Sequence, residues 1–147
     1  MYEIVPNLYL SNYSDALYAS KTTEFYQINV TKDMPIFTRN EKNNMYIRVA
    51  INDDMSDNAF DGFLENLPKV VNKIDEVLSE NHVVVVHCLA GQQRSAAIVA
   101  AYLLYKKYVI DIIDAISMIK NIKRDAFLWK VNFLQPLQKW QHQLEHK

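Results

Sequence analysis

Cys88 is the only cysteine among 147 residues, and Arg94 follows it six positions later within the segment HCLAGQQRSA, His87 to Ala96. A lone thiol after a run of valines is usually a packing residue. Here Gly91, Arg94 and Ser95 at their fixed spacing favour reaction. If a buried strand ends at His87 and a helix begins near Arg94, the intervening turn is an anion site. The first helical amides have no internal acceptor and point into the turn, and the aligned peptide dipoles add partial positive charge. Gly91 lets successive amides converge into a nest for a tetrahedral oxyanion. Arg94 brings a planar fork that holds two phosphate oxygens at once. The same field favours the thiolate of Cys88, which is then a nucleophile aimed at bound phosphate.

The elements that must position this turn are legible around it. Val83 to Val86 is an unalternated β-branched run, expected as a strand buried on both faces within a parallel sheet. Ser95 to Lys107 is expected as the following helix. Upstream, Glu3 to Leu10 reads as a strand broken by Pro6 and Asn7, and Ser14 as the cap of a short helix over Ala16 to Ala19. Phe25 to Val30 and Met45 to Ala50 read as further strands. Between Asn58 and Glu80, apolar residues recur at three- and four-residue steps, one face of a helix that Pro68 is expected to kink or split in two. Asp111 opens another helix, and a last one begins near Asn132 and contains Pro136. Strands interleaved with helices make an α/β domain, and no repeat or linker divides residues 1–147.

Bulk properties narrow the function. Half the residues are hydrophobic, two are glycine, and the net charge is −1. That balance offers no basic surplus for nucleic acid, and no run approaches the ~18 apolar residues of a membrane span. The opening MYEIVPNLYL lacks the basic start and apolar core of a signal peptide, and a free thiol suits a reducing compartment, so a cytoplasmic protein is expected. Richness in Asn, Ile, Lys and Tyr fits an AT-rich genome, such as that of a large DNA virus, with host cytoplasm or virion as the location in that case.

The pattern HC, five residues, then RS resembles the active-site loop of the cysteine-based protein tyrosine phosphatase superfamily. IVPNLYLSNYSDAL, INDDMSDNAF and SAAIVAAYLLYKK, in this order, resemble its small dual-specificity branch. The resemblance implies a protein tyrosine phosphatase-like fold with a mostly parallel central sheet flanked by helices. It also implies hydrolysis of phosphotyrosine and phosphoserine or phosphothreonine in proteins, without metal or cofactor. By the same likeness Cys88 is the nucleophile, Arg94 the phosphate clamp, and the amides of Leu89, Ala90, Gly91, Gln92, Gln93 and Arg94 the cradle. Ser95 lends its hydroxyl to the sulfur, and His87 orients the cysteine. A departing alkoxide needs a proton, so a carboxylic acid is expected above the pocket. Asp53, Asp54 and Asp57 lie on a turn; the family pattern puts the general acid at Asp53, with Asp54 in reserve.

Two stretches depart from that pattern. Gln92 and Gln93 stand where smaller residues are commoner, either narrowing the pocket or reaching toward substrate or the attacking water. Arg124, Asp125, Trp129 and Lys130 stand where an Arg-Pro and then a Pro-Asn pair are common. Rival readings are an RNA 5′-triphosphatase or a phosphoinositide phosphatase of the same superfamily, and a catalytically silent phosphate-binding module. His82, His142 and His146 show no ligand-like spacing and read as surface residues. Tyr102, Tyr105 and Tyr108 read as packing side chains, and Lys120, Lys123 and Arg124 as a solvated basic face.

Overall fold

A computed structural model describes residues 1–147. Its sheet has five strands in the order β1-β2-β5-β3-β4: β1 (Tyr2–Val5), β2 (Leu8–Ser11), β3 (Tyr26–Asn29), β4 (Tyr46–Arg48) and β5 (Val84–His87). Only β1 with β2 is antiparallel. The valine run is the central strand, parallel to β2 on one side and β3 on the other, and all four of its residues are buried. Val84 and Val86 join the main core, whereas Val85 faces a smaller cluster with Ala16, Phe25 and Phe37. That two-sided burial is why the run does not alternate with polar residues.

Six helices cover the sheet: α1 (Tyr13–Ser20), α2 (Thr38–Lys42), α3 (Asp57–Ser79), α4 (Arg94–Tyr105), α5 (Ile112–Ile122) and α6 (Leu134–Glu145). α4 is the hub of the main core, packed on β5 and β2 and against α3, α5 and α6. Ten consecutive residues from Ser95 to Leu104 are buried in it. A helix apolar all round is the form expected when every side has a partner. Its start is thereby fixed at the C-terminal end of β5.

Several local expectations are corrected. The break at Pro6 and Asn7 reverses the chain, so Glu3 to Leu10 is a hairpin rather than one strand. Asn7 takes a left-handed φ of 70° after Pro6, as a tight turn requires. The cap of α1 is Asn12, whose side chain accepts the Asp15 N–H at 2.7 Å, and not Ser14. Pro68 does not divide α3, which runs uninterrupted for 23 residues. Pro68 lies on the exposed face, where water can satisfy the carbonyl that loses its partner. The short helix α2 has too little periodicity to be seen in sequence; buried Asn40 anchors it through the carbonyls of Phe25 and Met45. Tyr102 packs, but Tyr108 lies beyond the end of α4 and is exposed.

Candidate active site

β5 ends at His87, residues 88–93 form the turn, and α4 starts at Arg94. Cys88 is buried, with its Sγ 3.1 Å from the Ser95 Oγ and 3.3 Å from the Gly91 N–H, which donates to it. The turn curls tightly around the sulfur because Gly91 has φ of 71°. A Cβ there would stand 2.7 Å from the Ser11 carbonyl oxygen, backbone that cannot swing aside. Glycine is therefore required twice over, for its dihedral and for the close approach of β2. The Tyr13 N–H donates to the Leu89 carbonyl at 3.0 Å and ties the turn to α1.

His87 is held in one tautomer. Gln27 takes the Phe37 N–H on its Oε1 at 3.0 Å, so its Nε2 donates to the His87 Nε2 at 2.8 Å. The remaining ring nitrogen, Nδ1, then donates to the Cys88 carbonyl at 3.2 Å. The ring stacks on Phe37 with centroids 5.4 Å apart. Burial, with Arg48 adding to it, pushes its pKa from 6.5 down to about 4 against the raising pull of the Cys88 carbonyl. His87 is a neutral strut under the cysteine.

Arg94 is partly exposed, and its Nη1 donates to the Ile51 carbonyl at 3.2 Å. This bond points the guanidinium toward the segment that carries the acids and leaves the other donors of the fork free. Gln93 supplies no side-chain cap to α4, so the first-turn amides remain available to an anion.

The three candidate acids separate cleanly. Asp53 is exposed, and its Oδ1 accepts the Asn132 Nδ2 at 2.9 Å. The Asn132 backbone N–H in turn donates to the Gln93 Oε1 at 2.9 Å, so Asn132 alone links Asp53 to the cysteine loop. Asp54 instead accepts the Ser56 N–H at 3.1 Å, and hydrogen bonds from Ser56 hold its carboxyl below the usual carboxylate range. It lines a separate cleft of about 560 Å³ with Lys32, Asp61 and Glu65. Asp57 opens α3 behind its cap Ser56.

The paired glutamines face the segment that departs from the family pattern. Gln92 donates its Nε2 to Asp125 at 3.2 Å and accepts the Phe127 N–H on its carbonyl at 2.7 Å. Gln93 is buried and donates its Nε2 to the Lys130 carbonyl at 2.7 Å. Both therefore brace the 125–132 segment. Lys123 is not part of a solvated face: it is buried, pairs with Asp125 and lies 5.8 Å from the Tyr2 ring centroid.

Residues 8–143 match the family described as dual specificity phosphatase, catalytic domain. The chain belongs to this family. Human dual specificity protein phosphatase 9 is 35% identical over 124 residues, 82% of this chain and 31% of that protein. Dual specificity protein phosphatase OPG106 of variola virus is 32% identical over 108 residues, 72% of this chain and 60% of that protein. This phosphatase domain thus spans about a third of the length of the first of these relatives. The crystal structure of human DUSP28 superposes with a TM-score of 0.80 at 20% identity, covering 99% of each chain. That likeness carries the fold, a five-stranded, mostly parallel sheet flanked by helices.

Four features of this domain escaped the sequence reading. Gln27 signals itself, with Asn29, as a polar residue inside a strand expected to be buried, whereas Asn132 and the Ile51 carbonyl carry no local signal. The fourth is at the far end of α6. The rings of His142 and His146 lie with centroids 4.1 Å apart, tilted by 42°, and ligand atoms of His142, Glu145 and His146 all lie within 4.8 Å of one another. The expectation of no ligand-like spacing is corrected there, since residues four apart share a helix face. All three are exposed. No helix is long and apolar enough to cross a membrane.

Proposed function

We propose that residues 1–147 form a dual-specificity phosphatase domain that hydrolyses phosphotyrosine and phosphoserine or phosphothreonine in proteins through a cysteinyl-phosphate intermediate. The observation that carries this reading is the surrounding of the Cys88 Sγ, with the Ser95 hydroxyl at 3.1 Å and the Gly91 N–H at 3.3 Å at the start of α4. Both are donors to a thiolate. The phosphate sits in the amides of Leu89 to Arg94 with the Arg94 fork on its oxygens.

Cys88 attacks phosphorus, the P–S bond forms, and the P–O bond to the substrate breaks. Asp53 gives its proton to the departing oxygen. Its carboxylate then takes a proton from a water that attacks phosphorus; the P–S bond breaks, the electron pair returns to sulfur, and inorganic phosphate leaves. Ser95 donates to the sulfur as it departs. The bonds from Asp53 through Asn132 to Gln93 support Asp53 over Asp54 as the acid, because they tie it to the loop that holds the phosphate.

The test is p-nitrophenyl phosphate hydrolysis with EDTA present, beside matched phosphotyrosine and phosphothreonine peptides and a triphosphorylated RNA. Turnover of both peptides, unchanged by the chelator, is expected. Loss of activity on chelation, preference for the RNA, or binding without turnover would each replace this reading.

A further inference from the structure

Trp129 is 94% exposed, more than any other large apolar side chain in the protein. An indole in water usually marks a flexible segment or a contact with something absent. Flexibility does not fit. Trp129 has a left-handed φ of 70°, as does Phe127 with 56°, conformations that side-chain-bearing residues seldom hold without external bonds. Those bonds come from the cysteine loop. The buried Gln93 donates its Nε2 to the carbonyls on either side of the indole, Leu128 at 3.5 Å and Lys130 at 2.7 Å. It accepts the Asn132 N–H on its Oε1, and Gln92 accepts the Phe127 N–H. Two residues of the phosphate loop thus hold the turn that displays Trp129.

The surroundings have the same character. Leu89, directly after the nucleophile, is 57% exposed, and Leu128 and Met55 are exposed as well. Met55 lies two residues beyond Asp53 and also has a positive φ, 56°. The three loops joined at the cradle, 51–56, 88–93 and 125–132, therefore each carry an exposed apolar side chain. A surface ordered in advance loses little freedom when a ligand covers it.

Resting on the phosphatase reading above, we propose that Trp129, held out by Gln93, is a specificity-determining contact for an apolar side chain directly beside the phosphorylated residue of the protein substrate. Leu89 and Leu128 complete the apolar floor of that subsite. The side chains of the paired glutamines then act on the 125–132 turn, while their backbone amides stay with the phosphate.

The test uses phosphothreonine peptides that are identical except for Leu or Gly beside the phosphothreonine. Only two tryptophans are present, and Trp140 is buried, so a change in emission on binding reports Trp129. With the Cys88→Ser protein, the Leu peptide is expected to shift the emission to the blue and the Gly peptide to leave it in place. In turnover, Trp129→Ala is expected to lower the Leu-over-Gly preference in kcat/KM about tenfold, chiefly through KM, with Trp129→Phe retaining most of it. An unmoved emission, or a preference equal in wild type and Trp129→Ala, overturns the proposal. Wild-type protein that turns over neither peptide overturns the phosphatase reading instead.

Discussion

Protonating His87 should unfold the floor of the catalytic loop. In the fold, its Nε2 accepts from Gln27 and its Nδ1 donates to the Cys88 carbonyl, so a second proton would set N–H against N–H at Gln27. Burial first, and Arg48 second, lower its pKa from 6.5 to about 4. Above pH 6.5 the ring is neutral whether the chain is folded or unfolded, and this contribution to stability is complete. As the pH falls below 6.5, the unfolded chain takes up the proton and the folded one does not, so stability declines until the folded ring titrates near pH 4. At about 1.36 kcal/mol per pKa unit, a drop from 6.5 to about 4 removes about 3 kcal/mol in all. That is a large share of the ~5–15 kcal/mol typical of a domain. Urea unfolding from pH 7.5 to 4.5 measures it in wild type and in His87→Gln, whose amide oxygen can take the Gln27 bond without titrating. A steeper fall in wild type is expected, and the His87 ring signal in NMR should stay in its neutral position down to about pH 5. Equal slopes, or a His87 titration near pH 6.5 in the folded protein, would refute the reasoning.

Other outcomes follow from the same geometry. Asp53→Ala should lower kcat on phosphopeptides by about 10²–10³ as the proton for the leaving group is lost, whereas Asp54→Ala, whose carboxylate is taken up by Ser56, should stay near wild type; the reverse ranking would make Asp54 the acid. Gly91→Ala should lose about 2 kcal/mol in thermal or urea unfolding and most activity, since its Cβ meets the Ser11 backbone at a strained φ; wild-type values for both would show that the loop can relax. Asn132→Ala should weaken the hold on Asp53 and reduce kcat more than KM; an equal loss in both, or none, would leave Asn132 a purely structural residue.

The parts of this protein that follow local rules were legible in its sequence. The valine run announced a strand buried on both faces, and Gly91 announced the tight turn behind it. The spacing of Cys88, Arg94 and Ser95 brought the rest of the loop with them. The apolar steps along α3 were plain too, although the consequence of Pro68 was not, because it depends on which face of the helix meets water. What stayed hidden depends on long-range closure. Asn132 meets Asp53 across 79 positions of chain, and Gln93 grips carbonyls 35 and 37 positions later. No window of sequence contains both partners of such a bond. The role of the glutamines was therefore open until the 125–132 turn was placed against them. Lys123 misled for a related reason: beside the nearby Asp125 it meets the Tyr2 ring, which comes from the other end of the chain.

The central claim is that the Cys88 sulfur carries the phosphoryl group between substrate and water. Rapid acid quench during turnover of a phosphopeptide, followed by mass spectrometry of the fragment holding Cys88, tests it most directly. A phosphoryl adduct on Cys88 is expected, more abundant when Ser95→Ala slows the return of the sulfur and absent in Cys88→Ser. Sustained turnover with no adduct in either the wild-type or the Ser95→Ala protein, or with Cys88 replaced by Ser, would contradict the account.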